Sequence, residues 1–533
     1  MVYPNTHQTV GEGRSAGASP ATSPRRWNAE GFLPFRLEVL TPILVGSGED
    51  LSPLEYVIRE ESGGYALHLT DAAAWLLAER ENSAVSAALN AGEMLTLRRL
   101  MTDRLDVNLY SLGRVPIQSS EVARTLQARI TDPRSLSKAE VMSFVRNPVT
   151  RTAILPGSSL KGAISTPLID HMDRLLTRTG GENLKRAMQF QGAGYQATLK
   201  KMFGDIGEHA MQALKVADIA VPPEGTSIWA AREMSLKPDK SGTPKPPCEA
   251  LSPSCSGGLP LYGSLHLDCR SGQPAIQLPG GAVFEWKRIV ALCNDFYKDR
   301  FLAEWDRFYR LPHFKQARDA LLPVRQRIEK LHPETDLLVR VGRYSHIECV
   351  TVRENAPQIK KGYGKTRTLA DGVLPFGWAI LHFCPYAEYV AGIAAVEEAI
   401  AEARRQRKHA RAEHEAHHAR LLEQQRQKAA AIAAMRERAD AEKRKHEEEA
   451  ARLEAELAAL SPQERAIVAL ARSGATEKES MDLFMQLDIL DPGLQQKAAA
   501  ALKAYWGSIG KWAGKQSDKQ KKKIARVKEI LAE

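Results

Sequence analysis

From Ala391 to about Leu460 the chain runs without a proline, and Ala, Glu, Arg, Gln and Lys make up most of it. Such residues lose little on becoming helical, and no proline interrupts the backbone hydrogen bonding before Pro462. The stretch reads as one helix over 389–460, about 100 Å long at 1.5 Å per residue. Its apolar positions are mostly alanine and its heptads are poor, which argues against a tight self-associating coiled coil. This helix divides the chain. Ahead of it, glycines, prolines and alternating apolar residues describe a mixed α and β region. Behind it, residues 461–533 read as a small helical bundle, opened by the capping-type start Ser461-Pro462-Gln463-Glu464.

With 533 residues and 43% apolar content the chain has enough material for more than one core. Its net charge of +10 favours an anionic partner without choosing among RNA, DNA and membrane. No apolar run reaches the length of a membrane span, and residues 1–30 lack the apolar core of a signal peptide. No membrane partner is therefore expected, and a cytoplasmic location is. The first 30 residues are rich in Gly, Ser, Thr, Pro and Ala and read as a disordered leader. The six cysteines include no C-x-x-C pair, so neither a disulfide framework nor a zinc site is expected. His409, His414, His417 and His418 lie on the long helix, and His414 and His418 are one turn apart. A solvated helix face explains them better than a metal. The last helix carries Lys515, Lys519, Lys521, Lys522, Lys523 and Arg526, either a solvated end or an auxiliary nucleic-acid contact.

Three glycine-rich stretches in the first part carry the chemistry. Thr150 to Leu168 reads as a strand end at Ile154-Leu155, a stop at Pro156-Gly157, and a loop of Ser158, Ser159, Lys161 and Gly162 that runs into a helix. Free N–H groups and the positive end of a helix dipole suit phosphate. An ordinary strand-to-helix turn with a solvated lysine explains the same residues. Gly46-Ser47-Gly48-Glu49-Asp50 is a second glycine loop, after a strand through Phe35, Leu37 and Val39. Lys360 to Arg367 is the third and most basic. It ends in Gly364-Lys365-Thr366 but lacks the glycine that a nucleotide-triphosphate loop needs at Ile359. A basic glycine loop with a tyrosine suits an RNA backbone with one stacked base. Elsewhere, 137–144 reads as a short helix, 115–130 shows no clear pattern, and 214–221 is a clean alternating strand. Residues 284–311 and 314–331 read as amphipathic helices. Residues 241–258, rich in Pro, Gly and Ser, look like a mobile insertion.

These motifs, taken in order, resemble a known family. Leu40-Thr41-Pro42-Ile43-Leu44-Val45-Gly46-Ser47-Gly48 followed by Leu51-Ser52-Pro53-Leu54-Glu55-Tyr56-Val57-Ile58 is similar to the opening of the fifth Csm subunit. That is a RAMP protein of type III-A CRISPR effector complexes. Leu155-Pro156-Gly157-Ser158-Ser159-Leu160-Lys161-Gly162 is similar to the family's glycine-rich lysine loop. Phe203-Gly204, the Val216 to Asp218 strand, Arg340-Val341-Gly342, Thr366-Arg367 and Pro375-Phe376-Gly377-Trp378 match later landmarks. The resemblance implies an α+β fold of RRM-like, ferredoxin-like units with antiparallel sheets over 31–388. It says nothing about 391–533.

The resemblance also implies a role near the 3′ end of the crRNA, capping the row of RAMP backbone subunits in antiviral defence. Partners would be crRNA, the backbone and small subunits of the complex, and target RNA indirectly. Gly46, Ser47, Gly48, Arg151, Gly157, Ser158, Ser159, Lys161 and Gly162 are the first RNA-binding candidates. Lys361, Gly362, Gly364, Lys365 and Arg367 are the second set. Slicing relatives cut RNA with an aspartate after the first strand, a region where this chain has Asp50 and Glu55. A metal-dependent ribonuclease needs such an oxygen ligand for Mg²⁺. A lone glutamate beside a strand is more often a surface residue or a loop brace, so no catalysis and no cofactor are expected. An acid–base ribonuclease would need a poised histidine pair; His68, His171 and His346 are isolated in sequence. A third reading is an adaptor that recruits a partner through its C-terminal helices.

Overall fold

The computed structural model describes residues 31–132, 134–179, 193–254, 258–268, 274–353, 364–514 and 516–532. The leader at 1–30, together with Lys361 and Gly362, lies outside the described residues. The chain divides into two units between Ala416 and His417.

The first unit is built on an antiparallel sheet of five strands. These are β1 (Phe32–Val39), β2 (Leu214–Val216), β3 (Leu261–Leu267), β4 (Asp336–Arg340) and β5 (Trp378–Phe383), in the spatial order β4-β5-β1-β3-β2. Helix α1 (Gly157–Arg178) lies between β1 and β2 in sequence, and α2 (Trp286–Glu304) between β3 and β4. With β5 as fourth strand, β2-β3-β1-β5 is the 2-3-1-4 order of a ferredoxin-like βαββαβ unit, and β4 is an added edge. Alternation along β1 sends Leu33, Phe35, Leu37 and Val39 into the core and leaves Arg36 exposed. Leu160, Ile164 and Leu168 of α1 and Ile289, Cys293 and Phe296 of α2 close that core. The buried Tyr297 hydroxyl donates to the Ala163 carbonyl at 2.8 Å and ties the two helices together.

The long helix α3 (Tyr386–Ala459) follows β5 directly. Its first turns lie on the opposite face of the sheet. Gly392 sits on the Tyr262 ring, where a Cβ would collide with it, and Tyr386 and Tyr389 meet Phe32 edge-on at 6.1 and 5.9 Å. An RRM stacks bases on this face. Here the first turns of α3 occupy part of it.

A second sheet runs Gly46–Leu51, Val141–Phe144, Thr243–Leu251, Thr226–Ser235, Ser111–Ile117, Gly64–Thr70 and Tyr56–Glu61, and Thr366–Ala370 pairs with Thr226–Ser235. Most pairs are antiparallel; those through Cys248–Met142 and Ile228–Ile117 are parallel. Several expectations are corrected here. Residues 243–251, expected as a mobile insertion, form a strand. Pro246 and Pro247 fall at a bulge between the Trp229–Cys248 and Ala231–Lys245 pairs, where no ladder bond is needed. Ala230, opposite the bulge, bonds to Asp371 instead. Residues 137–144 end in a strand, Val141–Phe144, and 115–130 resolve into strand Ser111–Ile117 and helix Ser120–Thr131. The single strand read over 214–221 is split between two sheets, as Leu214–Val216 and Ile219–Ala220.

Among the described residues the second unit holds four α-helices after α3: Pro462–Ala471, Glu477–Gln486, Pro492–Ser508 and Asp518–Ile530. Leu470, Leu483, Leu487, Leu502, Trp506 and Val527 form its core. Ser461 with Glu464, and Thr476 with Glu479, form complete capping boxes. Among the described residues no helix is long and apolar enough to cross a membrane.

Candidate nucleic-acid interface

The Gly46 stretch is an edge strand and not a loop. Gly46–Leu51 pairs with Val141–Phe144, with a register shift between Gly46 and Asp50. Gly48 has φ +94°, which lets the strand bulge there. Its backbone is exposed, and the Ser47 and Ser143 hydroxyls both reach the Glu49 carbonyl, at 2.8 and 2.7 Å.

Backbone bonds carry this edge to the start of α1. Val145 N donates to Val45 O, and Ile154 N donates to Val145 O, each at 3.0 Å. Between Val145 and Ile154 the chain makes a hairpin, shaped by the Asn147 carboxamide oxygen, which accepts from Val149 N and Thr150 N at 2.9 Å. Arg151 sits there at φ 58°, exposed. Arg146 is committed elsewhere: its guanidinium pairs with the buried Glu249 and donates to Arg151 O at 3.0 Å.

The start of α1 departs from the expected row of free N–H groups. Gly157 is buried, and a Cβ there would run into the Val216 carbonyl, so only glycine lets the helix begin this close to β2. Its N–H donates to Asp218 Oδ1 at 2.7 Å, and Ser159 N donates to Pro156 O at 3.0 Å. Gly157 is therefore a packing residue whose donor is already used. Ser158 and Gly162 are exposed one turn apart, with Ser159 and Lys161 half-buried beside them. Burial, then the neighbouring Lys215, lowers the pKa of Lys161. Among the described residues neither lysine has a carboxylate within ion-pair distance.

A further glycine turn, quoted above only as a landmark, meets this edge. Gly342 (φ +87°) packs against the Leu44 carbonyl, which accepts from Arg343 N at 2.7 Å. Gly377 (φ +100°) donates to Pro42 O at 2.8 Å and accepts from Val341 N at 2.8 Å. Arg343 is exposed beside Val45-Gly46 and has no carboxylate partner among the described residues. Residue-by-residue reading missed Arg343 and Lys215; an arginine directly after a glycine turn was the available signal for Arg343.

The third loop divides. Lys365 is exposed, and its carbonyl accepts from Leu236 N at 3.0 Å. Gly364 (φ +71°) faces Glu348 and Arg307. Arg367, expected to touch RNA, is 3% exposed. It lies 3.4 Å from Glu304 and 2.9 Å from Glu348, with its guanidinium 4.2 Å over the Phe308 ring. Burial opposes the Glu304 charge, but Arg340 and Arg367 outweigh it and hold its pKa at about 2. Arg367 is thus part of a buried ionic core. No hydrogen bond or ion pair among the described residues joins Lys365 to the Gly46–Lys161 group.

Asp50 is exposed on the edge strand, and the Glu55 carboxylate accepts from Ser52 N at 2.7 Å, bracing its own loop. Among the described residues no three His, Cys, Asp or Glu side chains gather as a metal site. His68, isolated in sequence, is bonded to Glu61 at 3.0 Å, and burial lowers its pKa.

Fold and edge together define an α+β protein on a ferredoxin-like sheet, with Arg151, Lys161, Lys215 and Arg343 left without a carboxylate partner among the described residues. No protein-family model and no curated protein matches the sequence. One chain of a solved structure is similar to 66% of this chain and to 100% of its own length, at 17% identity and a TM-score of 0.47. That structure is described as a cryo-EM structure of a Csm-crRNA-target RNA ternary complex in a type III-A CRISPR-Cas system.

Proposed function

We propose that this chain is a non-catalytic crRNA-binding subunit of a type III CRISPR interference complex, capping the backbone near the crRNA 3′ end. The carrying observation is the ladder Val45–Val145–Ile154, which sets the Gly46 edge, the Arg151 hairpin and the start of α1 side by side. Arg151, Lys161, Lys215 and Arg343 along that run have no internal counter-ion among the described residues. The resemblance of the ordered glycine motifs supplies the type III assignment. Exposed backbone with scattered cations reads phosphate and ribose and not base edges, so binding is sequence-tolerant.

The test is binding of single-stranded RNA by purified protein across salt concentrations. Four phosphate contacts at a slope of about −0.7 each give a loss of roughly 50-fold in affinity between ~50 and ~200 mM salt. Salt-independent binding, or a strong preference for one sequence, would refute the grip. In the assembled complex with Mg²⁺, Asp50→Ala and Glu55→Ala are expected to leave every target-RNA cut in place. Loss of one cut would make the chain a nuclease.

A further inference from the structure

A cleft in the first unit adjoins the edge just described and shares the Arg151 hairpin with it. Strand Ser111–Ile117, the hairpin before α1, the 221–224 turn and α3 from Ile400 to Arg411 enclose about 640 Å³. On α3 the walls come from Ile400, Ala403, Arg407 and Arg411, which share one helical face. The basic lining is Arg114, Arg146, Arg151, Arg407, Lys408 and Arg411; among the described residues the acid that lines it is Glu224. Half of these cations are already neutralised: Arg114 by Glu61 and Glu224, Arg146 by Glu249, Arg411 by Glu415.

Arg151, Arg407 and Lys408 have no carboxylate in ion-pair reach among the described residues. Arg407 makes one hydrogen bond, to the Leu112 carbonyl at 3.3 Å. Desolvation, then Arg404 and Arg146 nearby, lowers its pKa. A cation pressed among cations is relieved by an anion, and among the described residues no carboxylate lies in ion-pair reach of Arg407. Between the charges the walls are apolar or hydroxylic, with Val221, Pro222, Thr150 and Thr152. Such a lining suits sugars joined by phosphates better than a bare ion.

We infer that this cleft holds the backbone of single-stranded RNA, with Arg151, Arg407 and Lys408 on successive phosphates. The inference rests on the RNA-binding reading above and extends it to α3, to which the resemblance assigns nothing. Continuity favours RNA over an acidic peptide: Ala153 in the cleft wall leads through Ile154 to Gly157 and Ser158 on the proposed RNA edge.

The experiment measures poly(U) binding by the full-length protein as a function of salt. Arg407→Gln and Lys408→Gln each reduce the slope by about 0.7 and the affinity about fivefold at ~0.1 M salt. Glutamine keeps the helix propensity, and unchanged helical circular dichroism checks the fold. Arg405→Gln changes the same charge on the same helix. Arg405 pairs with Glu398 and Glu402 outside the cleft, so this variant binds as wild type does. Equal losses in Arg405→Gln and Arg407→Gln would overturn the cleft assignment. So would wild-type binding by Arg407→Gln and Lys408→Gln while Lys161→Gln is weakened, an outcome that leaves the RNA reading standing. Binding of poly-glutamate but not poly(U) to the cleft, or no RNA binding by wild type, overturns it as well, and the latter takes the RNA reading with it.

Discussion

Replacing Arg367 separates two accounts of one residue. If Arg367 faced RNA, Arg367→Ala would weaken RNA binding and leave stability alone. In the structure it shares Glu304 with Arg340 inside the core, 3% exposed. Removing one member of a buried ion pair typically costs about 3–5 kcal/mol, because the partner charge stays behind without compensation. Glu304 keeps Arg340 and the Tyr309 hydroxyl at 2.9 Å, so the low end, about 3 kcal/mol, applies. Loss of the guanidinium over Phe308 adds about 1 kcal/mol. Arg340→Ala is expected to cost more, since Arg340 also donates to the Phe376 carbonyl at 3.0 Å beside the Gly377 turn. The assay is urea denaturation followed by tryptophan fluorescence, with RNA affinity measured on the fraction that remains folded. Arg367→Ala should shift the midpoint down by an amount equivalent to ~3–4 kcal/mol and leave the affinity of folded protein unchanged. An unmoved midpoint with weakened RNA binding would refute the buried-network reasoning.

Two other perturbations test separate parts of the molecule. His382 bonds Asp336 at 2.8 Å and also pairs with Glu38; burial opposes its charge, but the two carboxylates outweigh it and raise its pKa above 6.5. Its stabilisation is therefore present in full below pH 6.5 and fades as pH rises through the raised value. Melting curves at about pH 6 and about pH 8 should converge in His382→Gln relative to wild type; an unchanged pH dependence would remove His382 from the account. Gly162 lies within α1 with open space where a Cβ would go. Gly162→Ala should stabilise the protein by up to about 1 kcal/mol, read as a higher melting temperature, while RNA affinity falls. Unchanged affinity would mean that no ligand backbone approaches there.

The parts of this fold legible in the sequence were those whose signal is local. The long helix followed from composition alone, and α2, β1 and β3 followed from periodicity, because each buries one face against a single core. The strand at 243–251 was hidden because its prolines suggest a loop until the opposing strand is known. Pro246 and Pro247 are tolerated only because Ala230 turns to Asp371. The edge strand at Gly46 was hidden for a related reason. Two glycines imply a turn, and only the pairs that Gly46, Asp50 and Leu51 make with Val141–Phe144 hold the stretch as a strand, with Gly48 bulging between them.

The candidate site shows the same division, with a chemical consequence. Glycine loops and lysines are visible one by one, but what each donor or cation is free to do depends on residues far away in the chain. Gly157 loses its N–H to Asp218, and Arg367 loses its charge to Glu304 and Glu348. Arg146 loses its charge to Glu249, whereas Arg151 keeps its own. In a chain with a net charge of +10, the useful quantity is therefore not where the basic residues are but which of them the fold leaves without a carboxylate. By that criterion Arg367 drops out of the proposed binding surface, while Lys365, exposed and without a carboxylate in ion-pair reach among the described residues, stays in it. The proposed surface also takes in Arg343, Arg151, Lys161 and Lys215, and Arg407 and Lys408 of α3, a helix to which sequence reading assigned no RNA contact.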